Sequence, residues 1–428
     1  VGCVAAWAGA KVGLNIPFSA SRQPQAMHDK PEPGPAGDQH VMNYSLLATL
    51  CLHALVTQIV YAMVRVTISY RTIELGLSPI WVGVITGASA LLPMLMAVAI
   101  GRFVDRGYDA LTARAGSLVI LLCCLGYRIS DAELLELLLF TAFLGVGHTL
   151  QMVSQQMVCV RAAGNDISRE SAFGHYMVST AIGQGVGPLI VGWLGGAQRI
   201  PPTRLLFGIA AALALVSLLV SLCIRAREPS SKAEAAQQRK VPVAELLRTR
   251  GVPTLMIASV ITVTAQDLIV IYLPVLGAQR EIEVAHVGTL LMIRSIAAVV
   301  SRMFYPAMMR AVGRVPLTVG TMGAAAIGLV VVASPLPLAA QYVAMAVTGF
   351  GLGVAATLSI SNMVDITPPG ARGVALSLRI TGNRVGQVSL PVMAGVIAAA
   401  MGAGGIFAIM AVTLAASATS VHIVRGKG

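Results

Sequence analysis

The sequence predicts an all-α membrane protein: about twelve transmembrane helices arranged as two six-helix, pseudo-symmetric bundles. Three observations lead there. Apolar residues make up 56% of the 428-residue chain against 11% charged, and mean hydropathy is +0.79. Apolar runs of roughly 20 residues, the length that crosses a hydrocarbon core as helix, recur from Asn43 to the C-terminus. A pattern of small and polar residues also returns about 200 positions later, at near-constant offset.

Helix is the required conformation for these runs, because lipid offers no partner to an open backbone amide or carbonyl. Residues 1–42 stand apart: an apolar stretch broken by Lys11, then a polar run with Pro31, Pro33 and Pro35 that predicts a disordered tail. The tail has neither a basic start nor a clear cleavage site, so a signal peptide is not expected. An alternative start codon or an over-extended start is, with Met27 and Met42 as candidate starts. Spans follow near 43–66, 79–100, 112–128, 134–160, 171–196 and 203–224, giving a first bundle over 43–224. A polar, basic stretch at 225–251 is the inter-bundle linker. Spans near 252–276, 285–309, 316–334, 336–361, 371–400 and 402–424 complete a second bundle over 252–424, before a short tail at 425–428.

The net charge of +12 is scattered over short loops instead of forming a basic stripe with interleaved aromatics, so nucleic acid is not an expected partner. Topology explains it better. Eighteen Lys and Arg fall on one set of connections, including Arg102, Arg106, Arg114, Arg161, Arg169 and seven in the linker. Five fall on the other set: Arg71, Arg128, Arg199, Arg204 and Arg280. The positive-inside bias then makes both termini cytoplasmic, in a bacterial-type inner membrane. Cys51, Cys123, Cys124, Cys159 and Cys223 lie in or beside apolar spans without paired metal-site spacing, so no metal is expected.

The repeat pairs Gly183, Gln184, Pro188 and Gly192 with Gly386, Gln387, Pro391 and Gly395, 203 residues on. Val82 and Gly83 pair with Val287 and Gly288 at 205, and Gly145 and Gly147 with Gly351 and Gly353 at 206. A same-direction repeat of six spans implies two bundles related by an axis along the membrane normal, with a solute path between them.

Between spans two and three lies GRFVDRGYDALTAR, and span five carries GQGVGPLIVG. Through these motifs the chain, from about Asn43 to Arg425, resembles the major facilitator superfamily. The resemblance implies a cytoplasmic latch at Gly101, Asp105 and Arg106, whose carboxylate docks on a helix N-terminus of the other half. Tyr108, Asp109 and Ala110 stand where that family has glycine and a basic pair, and Arg114 is the candidate replacement charge. Gly183, Gly187, Pro188 and Gly192 match the family's fifth-helix signature, associated with exporters running as antiporters; close helix packing is the alternative. Thr141 replaces the arginine that drug exporters carry before a fourth-helix GxG, and span one lacks the acidic motif of aromatic-acid uptake.

Ionisable residues inside a span are functional candidates by default. Asp267 in span seven and Arg294 in span eight reach one depth, as a proton site beside an arginine or as a static salt bridge. His53 and His148 are candidate proton relays or packing hydrogen bonds. Arg384, deep in span eleven, is the candidate anion contact; Arg379 is expected to snorkel to the interface or to pair, and Arg65 to snorkel to the surface. Gln58, Gln151, Gln155 and Gln266 add neutral hydrogen-bonding capacity for a substrate.

The expected function is secondary transport of a small solute by alternating access, powered by a proton gradient and without a cofactor, favouring export of an organic anion or amphipathic metabolite by a monomer. Proton-coupled uptake and a non-transporting sensor of the same fold are the alternatives. No GxxxxGK[ST] pattern indicates ATP-driven transport, and no HExxH or equivalent cluster indicates an enzyme.

Overall fold

A computed structural model describes residues 36–130, 133–162, 169–225, 247, 251–367 and 372–426. The expected tail over 1–35, most of the linker and residues 427–428 lie outside them. Six helices form the first bundle: α1 Ala36–Glu74, α2 Pro79–Asp105, α3 Asp109–Ile129, α4 Leu134–Ala162, α5 Arg169–Gly195 and α6 Thr203–Leu222. The second comprises α7 Val252–Gln279, α8 Val284–Val312, α9 Arg314–Ala333, α10 Leu338–Ile366 and α11 Arg372–Gly426. Residues 36–42, expected to be disordered, are the opening turns of α1.

Among the described residues eleven helices are long and apolar enough to cross a membrane. The last contains a 46-residue apolar stretch, Leu378–Ile423, which at 1.5 Å per residue is about twice a bilayer core. It divides at Gly402, whose φ of 73° and ψ of 172° are non-helical and open to glycine because it lacks a Cβ. The Gln279 side-chain oxygen accepts from the Ala403 N–H, capping the second arm. Among the described residues this gives twelve helical segments long and apolar enough to cross a membrane.

Glycines set the helix spacing, and they do so symmetrically. A Cβ on Gly83 of α2 would strike the Pro391 carbonyl of α11, and one on Gly288 of α8 would lie 2.5 Å from the Pro188 carbonyl of α5. These two exchanged contacts, α2 on α11 and α5 on α8, join the bundles. Inside each bundle, Gly145 of α4 packs on Ser89 of α2, and Gly349 of α10 packs on Arg294 of α8. Likewise Gly147 meets Gly116 and Ile120 of α3, while Gly351 meets Thr321 and Ala325 of α9. The structural equivalents are thus Gly145 with Gly349 and Gly147 with Gly351, 204 residues apart, and not the pairing at 206 that glycine identity suggested. Four glycines or alanines within a few residues make that register ambiguous in sequence; packing partners resolve it.

The bundles are sealed at one end. On the face bearing the 196–202 and 280–283 loops, the Val284 and Ala285 N–H groups donate to the Gln198 and Gly196 carbonyls, and Arg199 pairs with Glu281 at 2.7 Å. Towards the opposite face, which carries the linker, a Cβ on Gly101 of α2 or Gly174 of α5 would meet nothing within 4 Å. Close contact between the bundles is concentrated in the loop-side half of α2, α5, α8 and α11.

Candidate functional site

A cavity of about 330 Å³ lies between the bundles, walled by α1, α2, α4, α5, α7, α8 and α11. Its polar lining comes from both halves. Arg65, Gln58 and Tyr61 project from α1, His148 from α4 and Gln184 from α5; Asp267 and Gln266 come from α7, Arg294 from α8, and Asn383, Arg384 and Gln387 from α11.

At its centre the Arg65 Nη1 donates to Asp267 Oδ1 at 2.7 Å, with the side chains 15% and 22% exposed. The other carboxylate oxygen accepts from the Gln387 amide at 2.8 Å, and the Gln387 oxygen accepts from Arg384 at 3.1 Å. A continuous chain Arg65–Asp267–Gln387–Arg384 therefore links α1, α7 and α11. Tyr61 and His148 stack at 3.7 Å with rings 3° apart, and the Arg65 guanidinium carbon lies 5.6 Å from the Tyr61 ring centroid, within cation–π range. The Tyr61 ring thus lies beside the guanidinium that reaches α7. Gln58 Nε2 sits 3.2 Å from His148 Nε2.

This geometry corrects two expectations. Asp267 pairs with Arg65 and not with Arg294, and Arg65 does not snorkel. The physical reason is the length of α1, which continues to Glu74, so Arg65 lies about two and a half turns inside the helix and cannot reach its end. Arg379 does not snorkel either: its Nη1 donates to the hydroxyls of Ser259 at 2.9 Å and Ser359 at 3.2 Å, tying α11 to α7 and α10. Arg294 lines the cavity at 6% exposure, bonded at 3.4 Å to the neighbouring Ser295 hydroxyl, and its Nε has no hydrogen-bond partner.

Of the other candidates, Gln58, Gln266, His148 and Arg384 reach the cavity, while His53, Gln151 and Gln155 do not. Those three form a separate buried network in the first bundle. His53 Nε2 lies 3.1 Å from Ser117 Oγ and its Nδ1 3.1 Å from Gln155 Nε2. Gln151 donates to Ser117 at 2.8 Å and to Ser217 at 3.3 Å. Polar groups buried at that depth need such partners, and here all but the Gln151 oxygen find them across α1, α3, α4 and α6.

The expected latch is not engaged as drawn. Asp105, at the end of α2, and Arg106 are exposed, and Asp105 has no ion pair among the described residues, consistent with the open linker-side end. Arg114 stays within its own half, donating to the Leu222 carbonyl at 3.4 Å at the end of α6 and to the Ile224 carbonyl at 3.1 Å just beyond it. Asp109 is the buried carboxylate, paired with Arg161 at 3.1 Å. In the fifth-helix motif, Gly183 and Gly187 let α5 approach the Leu55 and Ile59 carbonyls of α1, and Gly192 faces Gly288 of α8. Among the described residues no group of three or more His, Cys, Asp and Glu side chains could hold a metal ion.

Among the described residues, twelve apolar helical segments in two bundles around a polar cavity at their interface have the architecture of a membrane transporter. The chain belongs to the Major Facilitator Superfamily, whose model matches residues 50–363 and 255–425. Its fold is similar to the crystal structure of the nucleoside transporter NupG, with a TM-score of 0.74 and 13% identity over 89% of this chain and 99% of that one. It is also similar to a peptide transporter POT, with a TM-score of 0.73 and 13% identity over 89% and 94%. A bacterial homolog of the human lysosomal transporter Spinster, in an inward-facing and unoccupied conformation, has a TM-score of 0.67 and 16% identity over 90% and 95%. No curated protein sequence matches the chain.

Proposed function

We propose that this protein carries a small organic anion across the membrane together with protons, by alternating access of the central cavity. The observation that carries the reading is the Arg65–Asp267 pair, which bridges the two bundles inside a cavity that also holds Arg294 and Arg384. A proton on Asp267 removes the charge that neutralises Arg65, and a cavity lined by Arg65, Arg294 and Arg384 then attracts an anion more strongly. Proton and anion then favour each other's binding, since linkage is reciprocal. Loss of the pair also loosens one tie between the halves, which is the step that alternating access requires.

Co-binding favours symport, the alternative to the export expected from the sequence; in antiport proton and solute would compete. The fifth-helix glycines support close packing equally well and do not set direction. The excess of Lys and Arg on the linker-side connections supports a cytoplasmic linker, so the open end faces inward and the sealed end outward. Flux of a labelled organic anion into reconstituted vesicles, with an acid-outside or acid-inside gradient, tests the proposal. Accumulation on the alkaline side is expected; accumulation on the acid side would establish antiport, and gradient-independent equilibration would remove the proton.

A further inference from the structure

We infer that the transported anion is a small dianion, with one anionic group taken by Arg294 and the other by Arg384. This inference rests on the anion reading above and sharpens it. The charges lining the cavity are Arg65, Asp267, Arg294 and Arg384. The first two neutralise each other at 2.7 Å. The remaining two guanidiniums form no ion pair among the described residues and hydrogen-bond to neutral groups: Arg384 to the Gln387 amide oxygen, and Arg294 to the hydroxyl of Ser295 at a long 3.4 Å.

Arg294 is the more demanding of the two. It is 94% removed from solvent, being 6% exposed, and its Nε has no partner. Its position is also pinned, because Gly349 of α10 lies against its backbone carbonyl. A buried, unpaired guanidinium is costly, and a planar fork of donors fits a carboxylate or a phosphate. Arg384 reaches the same cavity from another helix, α11. At the equivalent position in the first bundle to Arg294 stands Ser89, 205 residues earlier, which also lines the cavity. The charge is thus an asymmetric feature of the second bundle and not a consequence of the repeat. Within the same cavity, Gln58, Gln184, Gln266 and Asn383 offer hydrogen bonds to the uncharged part of the solute.

The test uses the full-length protein in detergent and matched pairs of probes that differ by one charge: dicarboxylic acids of three to six carbons against their half-amides, and phosphate monoesters against the corresponding methyl diesters. Binding is read as ligand-dependent thermal stabilisation and as competition. At least one dianion is expected to bind about tenfold or more tightly than its singly charged partner, the gain that one charge-assisted contact provides. Arg384→Gln should abolish the difference within the pair, and Arg384→Lys should restore part of it, which separates charge from folding. Equal binding of both members would overturn the dianion while leaving the anion reading intact. Binding of uncharged or cationic probes with no anion bound would overturn both. Failure of every dianion in the series to bind would count against the inference, and the comparison of dicarboxylate with phosphate series names the anionic group.

Discussion

Arg65 on α1 and Asp267 on α7 form a 2.7 Å ion pair that joins the two bundles from positions 202 residues apart, close to the offset of the internal repeat. Opposite charges at near-equivalent positions of the repeat thus meet between the bundles. Removing one partner leaves the other under-solvated, whereas removing both does not. Arg65→Gln alone should lower stability by about 1–3 kcal/mol, less than for a dry pair because the cavity admits water. Arg65→Gln with Asp267→Asn should recover at least half of that loss. A double-mutant cycle on melting of the purified protein measures it; additive losses would show that the pair is not coupled.

The seal opposite the linker depends on backbone approach at two glycines. A Cβ at Gly288 would sit 2.5 Å from the Pro188 carbonyl, with backbone on both sides and no flexible side chain to yield. Gly288→Ala should bias the protein towards opening at that face, since overpacking costs about 1–3 kcal/mol. A reporter placed by Gln198→Cys in a cysteine-free background should then react with an impermeant thiol reagent roughly fivefold faster or more. Unchanged labelling would mean that the seal does not rely on this contact.

The ion pair across the same seal should matter far less. Arg199 and Glu281 are 63% and 62% exposed, so water screens their attraction. Arg199→Ala is expected to change stability by about 1 kcal/mol or less and leave thiol labelling at the seal near its original rate. The Val284 and Ala285 amide bonds to the Gln198 and Gly196 carbonyls survive that substitution.

His53 is expected to be structural. It is fully buried, lies outside the cavity, and is bonded on both ring nitrogens to neutral groups. His53→Gln should lower stability by about 1–3 kcal/mol through the partners it strands, without moving the pH profile of transport. A shifted profile would assign the network a role in proton movement.

The fold was legible because its causes are local and repeated: apolar run length, loop charge and paired glycines each act within a few residues. Even the exchanged contacts, Gly83 on Pro391 and Gly288 on Pro188, join residues that the repeat had already singled out. The site was legible in part. Asp267, Arg294 and Arg384 stand out as charges in apolar surroundings, but their pairing depends on helix ends and rotation. Reading span one as ending near residue 66 placed Arg65 at the surface, and the extension of α1 to Glu74 moved it inside. Arg65 lies 202 residues before Asp267, and Gln387 was already a repeat position; that offset was the available signal for both. His53, Gln151 and Gln155 looked the same in sequence as His148 and Gln58, because polarity in a span does not reveal which face of the helix meets the cavity.

The most direct test of proton coupling compares the wild type with Asp267→Asn in vesicles, using the anion that binds most tightly in the probe series. Each is assayed for accumulation driven by an imposed pH gradient and for exchange of labelled against unlabelled solute with no gradient. Coupling through Asp267 predicts that Asp267→Asn loses gradient-driven accumulation by tenfold or more, about 1.4 kcal/mol of driving force, while exchange continues. Full gradient-driven accumulation by a folded, exchanging Asp267→Asn protein would contradict it.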